Sequence, residues 1–135
     1  MSDPRVEQLR RLPIFGGLDE DALREVAASS TPVDLPPDRV LCRQGDIGRE
    51  CFLVVDGEAR ITRDGKDIAR VGAGDLLGEI ALLDGGHRRT ATVTAITAMR
   101  LLVLDPREFD SLLRHTAVAQ RVHDAVAERL RSHHG

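Results

Sequence analysis

One stretch of the chain holds most of the residue types that can do binding chemistry: Gly78-Glu79-Ile80-Ala81-Leu82-Leu83-Asp84-Gly85-Gly86-His87-Arg88-Arg89-Thr90-Ala91-Thr92-Val93. A glycine such as Gly78 has no Cβ, so its backbone N–H can approach a ligand closely. A short helical turn after it would aim its first amides at an anion. Arg88 or Arg89 can fork onto phosphate oxygens through paired N–H groups. The Glu79 carboxylate can accept hydrogen bonds from sugar hydroxyls. Together these groups fit a ribose phosphate. In an arbitrary chain, a Glu and an Arg at such spacing are solvated surface residues, so the case depends on what surrounds them.

Other chemistry finds little support. His115, His123, His133 and His134 fall in or after helical segments with no ligand pair one turn apart, so no metal site is expected. His87 reads as a polar loop residue. No nucleophile is paired with a base, so no catalytic residue is expected and the chain does not read as an enzyme. Cys42 and Cys51 lie in apolar stretches without zinc-site spacing, and read as buried, reduced thiols. With three Phe and no Trp or Tyr, the chain lacks stacking platforms for single-stranded nucleic acid. Nineteen basic and twenty-two acidic residues give a net charge of -3, which disfavours attraction to DNA or anionic membrane. The start Met1-Ser2-Asp3-Pro4 has no apolar leader, and apolar runs such as Leu101-Leu102-Val103-Leu104 are too short to span a bilayer. The cytoplasm is the expected compartment.

The elements that must position the stretch can be read from patterning. Val6, Leu9 and Leu12 have helical spacing, and Pro13 stops that helix. Ile14-Phe15-Gly16-Gly17-Leu18 forms an apolar elbow. Asp19 caps a second helix with Leu23, Val26 and Ala27 on one face. Pro32, Pro36 and Pro37 then end helical character, and residues 31 to 104 read as short strands. Val40-Leu41-Cys42 and Cys51-Phe52-Leu53-Val54-Val55 are apolar runs. Asp56-Gly57 predicts a hairpin to Glu58-Ala59-Arg60-Ile61-Thr62, and Asp64-Gly65 predicts another before Ile68 to Val71. Thr90 to Ala95 alternates as a half-buried strand, and Met99 to Leu104 is the last one. Asp105-Pro106-Arg107-Glu108 forms a capping box for a helix presenting Phe109, Leu112 and Leu113. A final helix is expected over 118–132, with Ala119, Val122 and Val126 in one stripe. The fold class is mainly β, a sandwich, barrel or jelly roll with flanking helices.

With these flanks, the stretch from Gly78 resembles the phosphate-binding cassette of the cyclic-nucleotide-binding domain family. That family includes kinase regulatory subunits, gated-channel ligand domains and the catabolite activator protein. Pro13-Ile14-Phe15 followed by Leu18 resembles its opening, and Gly45-Asp46 and Val55-Asp56-Gly57 resemble its early turns. The late helices resemble its hinge and lid. The resemblance implies one domain over 1–135: N-terminal helices in 1–30, a jelly-roll β-roll in 31–104 with the cassette at 77–91, and C-terminal helices in 105–135. It implies that Glu79 holds the ribose 2′-hydroxyl. Gly78, Ile80 and Ala81 offer backbone groups to ribose or phosphate, an arginine pairs with the phosphate, and Thr90 contacts phosphate or purine. Cyclic AMP, or cyclic GMP, is then the ligand, with no other cofactor.

The pattern departs from the family in three ways. Leu77 replaces a Phe, no proline precedes the arginine, and the loop is one residue longer. Forward spacing from Gly78 lands on Arg88, whereas aligning back from Thr90-Ala91-Thr92-Val93 lands on Arg89. Arg89 is preferred, because the alternative would put it where a small residue should enter the strand, and burying an unpaired charge there is costly. Arg121, Val122, Val126 and Leu130 are candidates for a residue closing over the base. The implied behaviour is a ligand-driven switch acting on an effector protein or fused domain, with a homodimer possible through the final helix. A DNA-binding unit after the lid would need more chain than follows Ser132. The alternative is a degenerate family member, without ligand, that serves protein contacts.

Overall fold

The structure, a computed structural model, describes residues 4–48, 50–78, 88–116 and 118–124. Helix α1 (Pro4–Arg10) precedes a 3-10 turn at Pro13–Phe15 and helix α2 (Glu20–Ser29). The Asp19 side chain accepts the Ala22 amide at 2.8 Å, the cap expected of it. Among the described residues, eight strands follow: β1 (Thr31–Leu35), β2 (Val40–Cys42), β3 (Cys51–Asp56), β4 (Ala59–Arg63), β5 (Lys66–Val71), β6 (Leu76–Leu77), β7 (Thr92–Ala95) and β8 (Met99–Leu104). Helix α3 (Pro106–Leu113) and helical residues 118–124 complete the described chain. Asp105 and Glu108 close the expected capping box at the start of α3, each side chain accepting the other's backbone amide, at 2.8 and 3.0 Å.

The strands form two antiparallel four-stranded sheets, in orders β1-β8-β3-β6 and β2-β7-β4-β5. The chain changes sheet after every strand except β4, which is the jelly-roll pattern. β1 carries Pro32, which has no N–H to give to a ladder, and accordingly lies at a sheet edge with β8 as its partner.

Period-two alternation explains the core. Along β3, Phe52 and Val54 point between the sheets, where they meet Ile61, Leu77, Val93, Ala95, Met99 and Leu101. Cys51 and Leu53 point the other way and pack with Val6, Leu9, Phe15, Leu23, Leu102, Phe109, Val118 and Val122. A strand buried on both faces must be apolar throughout, which is why Cys51-Phe52-Leu53-Val54 is an unbroken run.

Two expectations need correction. Asp64-Gly65 is the tight hairpin foreseen, with φ of 53° and 80°, joining the paired strands β4 and β5. Asp56-Gly57 is not a hairpin. β3 and β4 belong to different sheets, and only Gly57 has positive φ, at 95°. Here the chain crosses between sheets against the turn that precedes β8. Ile96 donates to the Glu58 carbonyl, and a Cβ on Gly57 would stand 2.8 Å from Met99 Cα and overlap the Ala98 carbonyl. The second correction is that β7 begins at Thr92 rather than Thr90. The Arg89 backbone pairs instead with the loop after β2: its amide donates to the Asp46 carbonyl at 2.7 Å, and its carbonyl accepts the Gly45 amide at 2.9 Å. The final helix is described only as far as residue 124, so its expected extension to Ser132 lies outside the described residues.

Candidate functional site

The loop between β2 and β3 and the segment entering β7 lie side by side. Besides the two Arg89 backbone bonds, Ile47 forms an isolated antiparallel bridge with Arg88. Successive residues of an extended segment face opposite ways. Arg88 is therefore exposed, its Nη1 donating to the Gly45 carbonyl at 2.7 Å. Arg89 turns inward and is 8% exposed.

The Arg89 guanidinium sits in a seat of backbone and ring. Its Nη2 donates to the Glu50 carbonyl at 2.7 Å, and Nη1 lies 3.5 Å from the Gly78 carbonyl. Its carbon stands 5.3 Å from the centroid of the Phe52 ring, within cation–π range. Gly48 and Gly78 make the space: a Cβ on either would overlap the guanidinium. Gly78 also has φ of 80°, a conformation that glycine adopts without cost. Among the described residues, no carboxylate lies within ion-pair distance of Arg89. Among the described residues the guanidinium's hydrogen-bond partners are neutral carbonyls, an arrangement that a bound anion would complete electrostatically.

Nearby groups feel this charge. Burial pushes the Cys42 thiol above its ordinary value, while the positive Arg89 pulls the other way. Cys51 is buried as expected, Cys42 is only half-buried, and the two do not form a disulfide. Thr90 is exposed, and its carbonyl accepts Arg63 Nε at 3.1 Å.

Of the residues expected to bind ligand, the structure brings Gly78 and Arg89 together and sets Arg88 and Thr90 beside them on the exposed side. Glu79, Ile80 and Ala81 lie outside the described residues, as does His87. Of the base-closing candidates, Val122 is wholly buried in the helix-side core, and Arg121 reaches toward the Gly16-Gly17 turn. Val126 and Leu130 lie outside the described residues. Sequence reading missed Gly48, Glu50 and Phe52. Gly48, three residues after Gly45 in a polar loop, was a signal of close backbone approach. The Glu50 carbonyl left no side-chain trace to read.

Among the described residues, no group of His, Cys, Asp and Glu could hold a metal ion, and no helix is long and apolar enough to cross a membrane.

Comparison with known proteins gives this geometry its setting. The chain is 32% identical to human cyclic nucleotide-gated channel beta-1 over 125 residues, covering 89% of this chain and 10% of that protein. The chain thus spans about a tenth of the length of the first curated relatives it matches. Among solved structures, cAMP-bound PfPKA-R superposes with a TM-score of 0.84 at 25% identity, covering 94% of this chain and 44% of that one. The catabolite activator protein of Thermus thermophilus gives 0.76 at 31% identity, covering 88% and 58%. The family model for the cyclic nucleotide-binding domain matches residues 32–116, a span that takes in the jelly roll, the seated Arg89 and α3. On that match and that fold, the chain belongs to the cyclic nucleotide-binding domain family.

Proposed function

We propose that residues 1–135 act as one regulatory domain that binds a cyclic nucleotide, cAMP or cGMP, with its cyclic phosphate on Arg89. The observation that carries this reading is the buried Arg89 guanidinium, which has no carboxylate partner among the described residues. Glu79 takes the ribose 2′-hydroxyl, and the backbones of Gly78, Ile80 and Ala81 face ribose and phosphate. Thr90 lies within reach of phosphate or purine, and Arg88 adds outer charge. PfPKA-R in its cAMP-bound form, 25% identical to this chain, supports the choice of ligand.

The bound nucleotide acts by favouring one arrangement of α3 and the helix after it, and it can shift that equilibrium only through unequal affinity for the two arrangements. An effector protein or fused domain reads the change, in the cytoplasm, where thiols such as Cys42 and Cys51 stay reduced. The chain itself is not catalytic. A homodimer through the final helix has less support than its sequence suggested, because Val118 and Val122 are spent on this chain's own core.

The test is calorimetric titration of nucleotide-stripped protein with cAMP and then cGMP, on the parent chain and on Arg88→Ala and Arg89→Ala. The expected result is that Arg89→Ala weakens binding by about 30- to 100-fold, the worth of a charge-assisted pair, and Arg88→Ala only a few-fold. Binding that survives in Arg89→Ala and fails in Arg88→Ala would move the phosphate to Arg88. No heat with either nucleotide would identify a ligand-free family member that makes protein contacts.

A further inference from the structure

The seat of Arg89 is built by the loop after β2, which is tied to the Arg88–Arg89 segment on one side and to Gln44 on the other. β2 is three residues long, and its pairing with β7 slips register between Val40 and Cys42, so the ladder ends where the loop begins. Beyond it, Gln44 takes over. Its amide donates to Thr92 Oγ1 at 2.9 Å. Its side chain makes a two-point bond with the hairpin turn: Gln44 Nε2 donates to Asp64 Oδ1 at 2.8 Å, and the Asp64 amide donates to Gln44 Oε1 at 2.8 Å. From Gln44 the path runs through Gly45 and Asp46 to the Arg89 backbone, and from Thr90 back through Arg63 into β4, which leads to the same turn. The hairpin turn and the Arg89 segment are thus tied to one another in a closed ring.

We propose that Gln44 is a positioning residue for the phosphate site: held by Asp64, it fixes the loop carrying Gly48 and Glu50 and so sets how well Arg89 is presented to a cyclic nucleotide. This rests on the reading that Arg89 binds the phosphate. The side-chain bonds of Gln44 are exposed and contribute little to global stability. They act on loop position, and a site held loosely binds more weakly than one already in place.

The experiment uses the whole chain with the variants Gln44→Ala, Gln44→Glu, Asp64→Asn and the double variant Gln44→Glu/Asp64→Asn. Two quantities are read: affinity for cAMP, and hydrogen exchange of the Gly45 and Arg89 amides in the nucleotide-free protein. Gln44→Ala is expected to weaken binding about three- to tenfold and speed exchange at both amides by a similar factor, with the melting temperature held. Gln44→Glu sets two carboxylates face to face and should weaken binding at least as much. Adding Asp64→Asn restores a donor opposite the new carboxylate, and Asn tolerates the left-handed φ, so binding and protection should return to within about twofold of the parent. Unchanged exchange at Gly45 and Arg89 in Gln44→Ala overturns the proposal whether or not nucleotide binds. Parent-like affinity in Gln44→Ala overturns it while leaving the phosphate reading intact. A fall in melting temperature parallel to the fall in affinity, without rescue in the double variant, assigns Gln44 a merely structural role and also overturns it. No binding by the parent chain sinks the phosphate reading, and the claim about affinity falls with it.

Discussion

At the scale of single residues, the molecule turns on where one guanidinium lies. Arg89 is buried between two glycines and an aromatic ring, so its neighbours are as consequential as the arginine. Gly48→Ala should displace it: a methyl at that position overlaps the guanidinium, and overpacking of this kind costs about 1–3 kcal/mol. The expected outcome is at least a tenfold loss of nucleotide affinity in a titration, with the fold retained. Cys42 offers a pH test. Its folded pKa is raised by burial, so the stability it contributes is fully present below the ordinary thiol value of 9.0 and is lost as pH rises from there toward the folded value. The chain has no Tyr and a single Lys, Lys66, so few other side chains titrate in that window. Melting temperature should therefore fall less between about pH 8 and about pH 10 in Cys42→Val than in the parent, and equal falls would count against the assignment. Register with the family favoured Arg89 over Arg88 as the phosphate ligand, but the difference in burial, Arg89 inward and Arg88 outside, was not read from the sequence. The carbonyls that receive it were not legible, because every residue has a carbonyl and composition cannot mark which one will be used.

At the scale of elements, local signals were reliable where the cause was local. Both helix caps, Asp19 and Asp105, stand where their side chains predicted, since a cap needs only the next three residues. Asp105→Ala should cost about 1 kcal/mol and lower the melting temperature by a few degrees in a thermal scan, and no change would show α3 to be held by packing alone. Asp64-Gly65 and Asp56-Gly57 look alike in sequence yet fold differently. The first has paired strands on both sides. The second is followed by a strand whose partners, β5 and β7, lie in the other sheet. A dipeptide cannot reveal that the sheet partners of β3 are β8, whose first residue is Met99, and β6, rather than β4. Gly57→Ala tests the distinction: it forces φ of 95° on a residue with a Cβ and drives that Cβ into the Ala98–Met99 backbone. The expected cost in a denaturant titration is about 1–3 kcal/mol, well above the cost of Gly65→Ala, where the added Cβ meets open space and only the positive φ is penalised.

At the scale of the whole molecule, a ligand that binds only the folded state must raise its stability. At one hundred times its Kd, cAMP should add about 2.7 kcal/mol, a rise on the order of 10 °C in the melting temperature. An unshifted transition at millimolar nucleotide would contradict the proposed activity. Fold class was readable because many short strands punctuated by glycines leave few architectures open, and the flanking helices carry their own spacing and caps. Strand order was not, since it depends on contacts between residues far apart in the chain. That order has its own consequence. β8, the last of the described strands along the chain, lies in the middle of its sheet, flanked by β1 on one side and β3 on the other. While the ribosome is still short of residue 99, β1 and β3 have no strand between them, and the helix-side core lacks Leu102 and Leu104. The roll therefore closes late and all at once, with the slow kinetics of long-range pairing, and a nascent chain stalled before Met99 presents open strand edges to the cell's folding machinery.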